Sequence, residues 1–256
     1  MPSLTTTIRS DLLYPFPPTM TASALDFQQF EVLTFDCYGT LIDWETGILT
    51  AVRKALDAHG VASPVREEDI LKHYAALEAE IEAGPYLPYR IVLAQVMEGL
   101  GRHFDITFTP AENDSLADSI KDWLPFPDTV DALRRLATKY KLAIVSNVDS
   151  DLFRDSARHL QVDFDYVITA QQIASYKPAR FNFEMALAKI GRPRGKVLHV
   201  AESVYHDIIP AKAMGLKTVW LYRRMGKEGS GATKAAEGRP DLVLPDLKSL
   251  ADAAGV

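Results

Sequence analysis

Short apolar runs that stop abruptly at polar residues recur along this chain, and a long stretch of helical periodicity separates the first run from the rest. The first is Val32, Leu33 and Phe35, which ends at Asp36 and leads into Gly39, Thr40, Leu41 and Ile42. A run this short, closing on an acid and a glycine turn, suits a buried parallel strand better than a helix. Such a strand delivers the Asp36 carboxylate to its C-terminal end, where open α/β sheets bind ligands. Gly39 permits a sharp turn there, and backbone N–H groups in that turn are expected to face an anion. The same residues also serve an ordinary strand–loop junction, so the segment alone leaves both readings open.

From Pro125 onward strands and helices alternate. Leu142–Val145 is expected to be a strand ending in Ser146 and Asn147, and Tyr166–Ile168 a second one leading to Lys177 and Pro178. Val197–Val200 ends in Ala201, Glu202 and Ser203, and Leu216–Leu221 and Leu242–Leu244 follow. Helical runs at Val130–Tyr140 and Phe183–Ile190 lie between them, the latter stopped by Gly191. This alternation predicts an α/β fold, a doubly wound parallel sheet. Residues 46–124 are different. Ile48, Val52, Ala55 and Leu56 fall at helical spacing, as do Ile70, Tyr74, Leu77 and Ile81, then Val92, Val96, Met97 and Leu100. No strand pattern interrupts them, so this block reads as a helical unit inserted after the first strand, broken at Gly84, Pro85 and Pro88.

Two segments read as irregular. Residues 1–28 carry Pro2, Pro15, Pro17 and Pro18 without periodicity and are expected to be a flexible extension. A transit peptide fits poorly, with one arginine, two acids and no amphipathic helix. Met225–Pro240, rich in Gly, Lys and Glu, reads as a mobile surface loop. Domain bounds follow: an extension over 1–28, a sheet domain from 29–45 and 125–256, and a helical insert over 46–124.

Composition narrows the function classes. A formal net charge of −6 in 256 residues argues against a nucleic-acid partner, and no apolar stretch is long enough to suggest a membrane span. Cys37 is the only cysteine, which excludes an internal disulfide and fits a reducing, cytoplasmic compartment.

The strand ends supply the candidate chemistry: Asp36 and Thr40, Ser146 and Asn147, Lys177, and Glu202 with Asp207. Strand ends of one parallel sheet converge on one crevice, so these groups can meet although far apart in sequence. An acid, hydroxyl and amide groups, a lysine and further acids make a hydrolytic site. In this order and spacing, Asp36-x-Tyr-Gly-Thr40, Ser146-Asn147, Lys177-Pro178 and Glu202-x4-Asp207, the chain resembles the haloacid dehalogenase superfamily of hydrolases over about residues 30–245. Within it the chain is most similar to the type II 2-haloacid dehalogenases. The phosphatase branch usually carries a second Asp two residues after the nucleophile, where this chain has Tyr38.

The resemblance implies a Rossmann-like core with residues 46–124 as a helical cap over the site. It implies Asp36 as nucleophile, forming an ester that water opens, on a short 2-haloacid or related small carboxylate, with no cofactor. Lys177 is expected to hold Asp36 ionised and to counter substrate charge. Thr40, Ser146 and Asn147 are expected to donate hydrogen bonds to nucleophile or substrate, with Tyr38 also against the substrate, and Asp207 to orient Lys177 or water. Homodimers are common among such relatives. The family's cap arginine for the leaving halide is absent between Arg66 and Arg90. His73 aligns near that place, and Arg90 is an alternative cation. Phe183, Glu202 and Val204 also depart from the dehalogenase pattern. Glu202 supports a second reading, a Mg2+-dependent phosphatase whose metal is held by Asp36, the Tyr38 carbonyl and Glu202. A non-catalytic binding protein on the same fold is a third.

Overall fold

The computed structural model describes residues 25–61, 65–227 and 229–256. Most of the expected N-terminal extension therefore lies outside the described residues. Six parallel strands form one sheet: β1 (Val32–Phe35), β2 (Lys141–Ser146), β3 (Tyr166–Thr169), β4 (Val197–Ala201), β5 (Lys217–Leu221) and β6 (Leu242–Leu244), in the order β3-β2-β1-β4-β5-β6. All six match the apolar runs expected from the sequence. All are short, and the central strands β1, β2 and β4 are nearly fully buried because helices cover both faces of the sheet, which is why their apolar residues run on without alternation. The strand order reverses beside β1, whose neighbours are β2 and β4. That reversal opens a crevice at the carboxyl ends of β1 and β4, and the polar strand ends converge there.

The stretch between β1 and β2 holds α1 (Trp44–Ala58), α2 (Glu67–Glu82), α3 (Tyr89–His103), α4 (Pro110–Ser119) and α5 (Thr129–Ala137). Ile48, Val52, Leu56, Ile70, Tyr74, Val92, Val96, Met97 and Leu100 are all buried, as their spacing predicts. They join Leu33 and Phe35 of β1 in a single apolar cluster, so the helical cap packs continuously onto one face of the sheet. The chain enters and leaves the cap at one place. Asp43 N–H donates to Leu124 O at 2.9 Å, and Phe126 N–H donates to Leu41 O at 3.0 Å. The opposite face of the sheet is covered by α8 (Arg180–Ile190) and α9 (Ile209–Ala213), through Phe183, Ile190, Ala211 and Met214 against Val32, Ala143 and Val197.

α4 has weak periodicity, and its start is marked instead by a capping box. Thr109 Oγ1 accepts from Glu112 N–H, and the Glu112 carboxylate accepts from Thr109 N–H. Thr109→Ala removes that reciprocal pair and is expected to cost about 1 kcal/mol, read as a lower urea midpoint with an unchanged slope.

The remaining helices, α6 (Ser150–Leu160), α7 (Ala170–Ile173) and α10 (Leu247–Ala253), complete the flanking layers. Among the described residues, no helix is long and apolar enough to cross a membrane. The segment expected to be a mobile surface loop behaves differently. Ala232 and Thr233 are buried, and Thr233 reaches the crevice described next. Small residues between glycines let this loop fold inward, which its polar composition conceals.

Candidate active site

Asp36 follows β1 directly and is buried at the crevice. Thr40 Oγ1 donates to its Oδ2 at 2.8 Å, and Lys177 Nζ donates to its Oδ1 at 2.9 Å. The turn that brings Thr40 back to Asp36 needs Gly39, whose φ is +86°. A β-carbon there would also sit 2.7 Å from Trp44 Nε1. Gly39→Ala is expected to lose about 1–3 kcal/mol, measured as a drop in the urea midpoint. The Gly39 N–H does not face an anion as the sequence led us to expect: it donates to Ile42 O at 2.8 Å, closing the turn.

Lys177 is 2% exposed, and all three of its ammonium hydrogens have acceptors. Besides Asp36 they reach Val145 O at 2.8 Å and Asp207 Oδ1 at 2.7 Å. The lysine is therefore fully engaged in holding two carboxylates and has no N–H left for a substrate. Behind it, His199 on β4 meets Asp207 Oδ1 through Nε2 at 2.9 Å, and its Nδ1 meets Thr34 Oγ1 at 2.9 Å. An ionised carboxylate only accepts, so Nε2 carries the proton in that contact.

Burial sets the protonation balance. It pushes the Asp36 carboxyl above the ordinary carboxylate value, and Lys177 opposes this without cancelling it. Burial would lower the Lys177 ammonium, but Asp207 and Asp36 hold it above its usual value. Burial likewise works against ionised Asp207, whose pKa is nevertheless lowered, chiefly by Lys177 and His199. The proton belongs to the lysine.

Thirteen residues line the crevice, whose cavity volume is about 30 Å³. Of the expected site residues, Asp36, Tyr38, Ser146, Asn147, Lys177 and Asp207 are among them. Ser146 Oγ and Asp207 Oδ2 are buried there without a hydrogen-bond partner. Tyr38 ties its hydroxyl to Ser156 Oγ at 2.8 Å. Asn147 clamps the Lys177 backbone: its Oδ1 accepts from Lys177 N–H at 2.7 Å and its Nδ2 donates to Lys177 O at 2.9 Å.

His73 and Arg90 are not brought to the crevice. His73 stacks on the His103 ring at 3.4 Å between centroids, and its Nδ1 bonds Asp69 O. It lies one position off the buried stripe of α2, about 100° around the helix from Tyr74. Arg90 turns outward and donates to Asp118 on α4 at 2.6 Å. Neither lines the cavity, so their expected substrate contacts are corrected.

The cap supplies acids instead. Glu78 and Glu82 lie on the inner stripe of α2 and line the crevice. Glu78 Oε1 accepts from Tyr74 and Tyr89 hydroxyls at 2.7 and 2.6 Å, and burial pushes its carboxyl up to about 7. Sequence reading missed both glutamates, together with Tyr89, His206, Thr233 and the His199 support. The usable signal was spacing: Tyr74, Glu78 and Glu82 follow one another at four-residue intervals along the buried face.

Both Asp36 oxygens are engaged by Thr40 and Lys177, and the Glu202 side chain borders two other cavities, near Arg224. Among the described residues, no group of three or more His, Cys, Asp or Glu is placed to hold a metal ion. What Glu202 does contribute here is main chain: its N–H donates to Thr40 Oγ1 at 2.9 Å and orients the hydroxyl toward Asp36. Asp43, past the turn, is occupied capping α1.

A family model for haloacid dehalogenase-like hydrolases matches residues 30–215. The chain belongs to that family. It is 25% identical over 199 residues to haloacetate dehalogenase H-2 of Moraxella sp. (strain B), covering 77% of this chain and 87% of the relative. Its fold superimposes on a defluorinating L-2-haloacid dehalogenase with a TM-score of 0.74 at 24% identity, covering 89% of this chain and 96% of the other. It also matches the L-2-haloacid dehalogenase of Xanthobacter autotrophicus with chloropropionic acid covalently bound, at a TM-score of 0.69 and 22% identity over 87% of this chain and 97% of that one. This haloacid dehalogenase-like hydrolase therefore carries the family's sheet and cap, with a wall of cap glutamates facing the sheet.

Proposed function

We propose that this hydrolase breaks the carbon–halogen bond of a short 2-haloacid through an ester on Asp36. One observation carries this reading. A buried carboxylate at the end of β1 is held by Lys177 and Thr40, and the position two residues later is Tyr38 rather than a second acid. A phosphatase uses an acid there to protonate its leaving group, while a halide leaves without a proton and asks for none.

In the first step an Asp36 oxygen attacks carbon 2, the new C–O bond forms, and the halide departs with the bonding pair. In the second step water attacks the ester carbonyl of Asp36. The ester C–O bond on the protein side breaks, the 2-hydroxy acid leaves, and Asp36 keeps one oxygen from water. Asp207 Oδ2, buried and without a partner, is suited to accept a hydrogen bond from that water. Ser146 Oγ is suited to the substrate carboxylate. Lys177 fixes the attacking group and steadies its charge.

Halide release from each enantiomer of 2-chloropropionate, with and without EDTA, tests the reading. Release from one enantiomer that ignores EDTA is the expected result. Phosphate release from small phosphate esters that depends on Mg2+, with no halide release, would replace the reading by the phosphatase one.

A further inference from the structure

The proposed substrate is an anion, yet the crevice carries Asp36, Glu78, Glu82 and Asp207 against one lysine that has no free N–H. An anion bound there needs other donors. We infer that Glu82 and His206 form a cradle of neutral hydrogen-bond donors that receives a small monovalent anion, either the substrate carboxylate or the departing halide. This deepens the proposed function and rests on it.

The geometry fixes the direction of each donor. Asn147 Oδ1 accepts from Lys177 N–H, so its Nδ2 is the donor that reaches Glu82 Oε2 at 3.1 Å. Glu82 Oε2 is thereby an acceptor, and the other oxygen, Oε1, is buried with no partner. The Glu82 side chain is 5% exposed. An ionised carboxylate held so deeply by a single amide is disfavoured against its acid form, and the acid form puts its O–H on Oε1. Burial, with Glu78 beside it, pushes the Glu82 carboxyl well above its usual range, while Lys177 and Asn147 pull less strongly the other way.

His206 points the same way. Its backbone N–H donates to Ser203 Oγ at 3.0 Å, and Ser203 Oγ lies 3.2 Å from its Nδ1. With the hydroxyl oxygen accepting from the backbone, its hydrogen is available to Nδ1, and in that tautomer the ring proton sits on Nε2. Nε2 is buried without a partner and stands 3.8 Å from Glu82 Oε2, too far for a hydrogen bond. Burial lowers the His206 pKa to about 4, so the ring is neutral near neutral pH. Two buried donors from cap and core, both lining the cavity beside Ser146 Oγ, have no acceptor in the protein. A small anion supplies one.

The charged groups facing Glu82 are Glu78 one turn back on α2, Lys177 after β3, Asp36 after β1, and His206 and Asp207 after β4. Glu78 is the rival for any proton linkage, but two tyrosine hydroxyls already satisfy the one oxygen they share. Calorimetric titration with L-lactate and, separately, with sodium bromide reads the cradle directly. The two ligands distinguish a carboxylate seat from a halide seat.

Affinity is expected to fall about tenfold per pH unit once Glu82 ionises. Titration in two buffers of different ionisation heat is expected to show proton uptake there in the unmodified protein. Glu82→Gln is expected to abolish the pH slope, Glu78→Gln to keep it, and His206→Ala to weaken binding roughly ten- to hundredfold. Affinity independent of pH, an equal slope in Glu82→Gln, or no binding of either anion would overturn the cradle. Halide release measured alongside separates the two ideas: turnover with a flat affinity overturns the cradle alone. Proton-linked anion binding without turnover on any haloacid overturns the dehalogenase reading alone.

Discussion

Asp36→Asn is expected to lower halide release by about 10⁴-fold or more, because it removes the carboxylate on which the proposed ester forms. Folding should survive the change. Asp36 is ionised at a cost in this buried site, since burial outweighs Lys177 and raises its pKa. Replacing it with an amide of the same shape therefore removes a strained charge and leaves an acceptor for Lys177 Nζ. Steady-state halide release beside thermal unfolding separates the two effects. Turnover within about tenfold of the unmodified enzyme would show that another group attacks the substrate.

Lys177→Met is expected to have the largest effect on stability. It leaves Asp36 and Asp207 buried with no cation between them, and breaking a buried ion pair from one side costs about 3–5 kcal/mol. The sign with pH follows from the carboxylates. Without the lysine both are held above their unfolded values, so the penalty is full at neutral pH and shrinks as acid protonates them. Urea unfolding at neutral and acidic pH checks this. A loss under about 1 kcal/mol at neutral pH would mean that the triad is solvated and does not organise the site.

The strands were legible because each is a short apolar run closed by polar residues, and burial on both faces leaves little else for such a run to be. The candidate site was legible for a related reason. Its core groups sit at strand ends, and a parallel sheet brings strand ends together whatever their separation in sequence. The cap resisted the same treatment. Its helices α1, α2 and α3 were visible as periodicity, but side chains one residue apart face directions about 100° apart. His73 and Arg90 were assigned by position along the chain, whereas their neighbours Tyr74 and Tyr89 are the ones facing inward. Glu78 and Glu82 were hidden by chemistry, since glutamate on a helix usually marks the solvated face. Thr233 was hidden by composition, because Gly-rich segments read as surface whether or not they fold back over a site.

Single turnover in H₂¹⁸O tests Asp36 as covalent nucleophile most directly. Excess enzyme is mixed with 2-chloropropionate, and the peptide containing Asp36 is then weighed. Opening of an Asp36 ester by water at its carbonyl puts one ¹⁸O in that peptide and leaves the first-turnover product unlabelled. The label in the product with an unlabelled Asp36 peptide would contradict the ester and require water to attack the substrate itself.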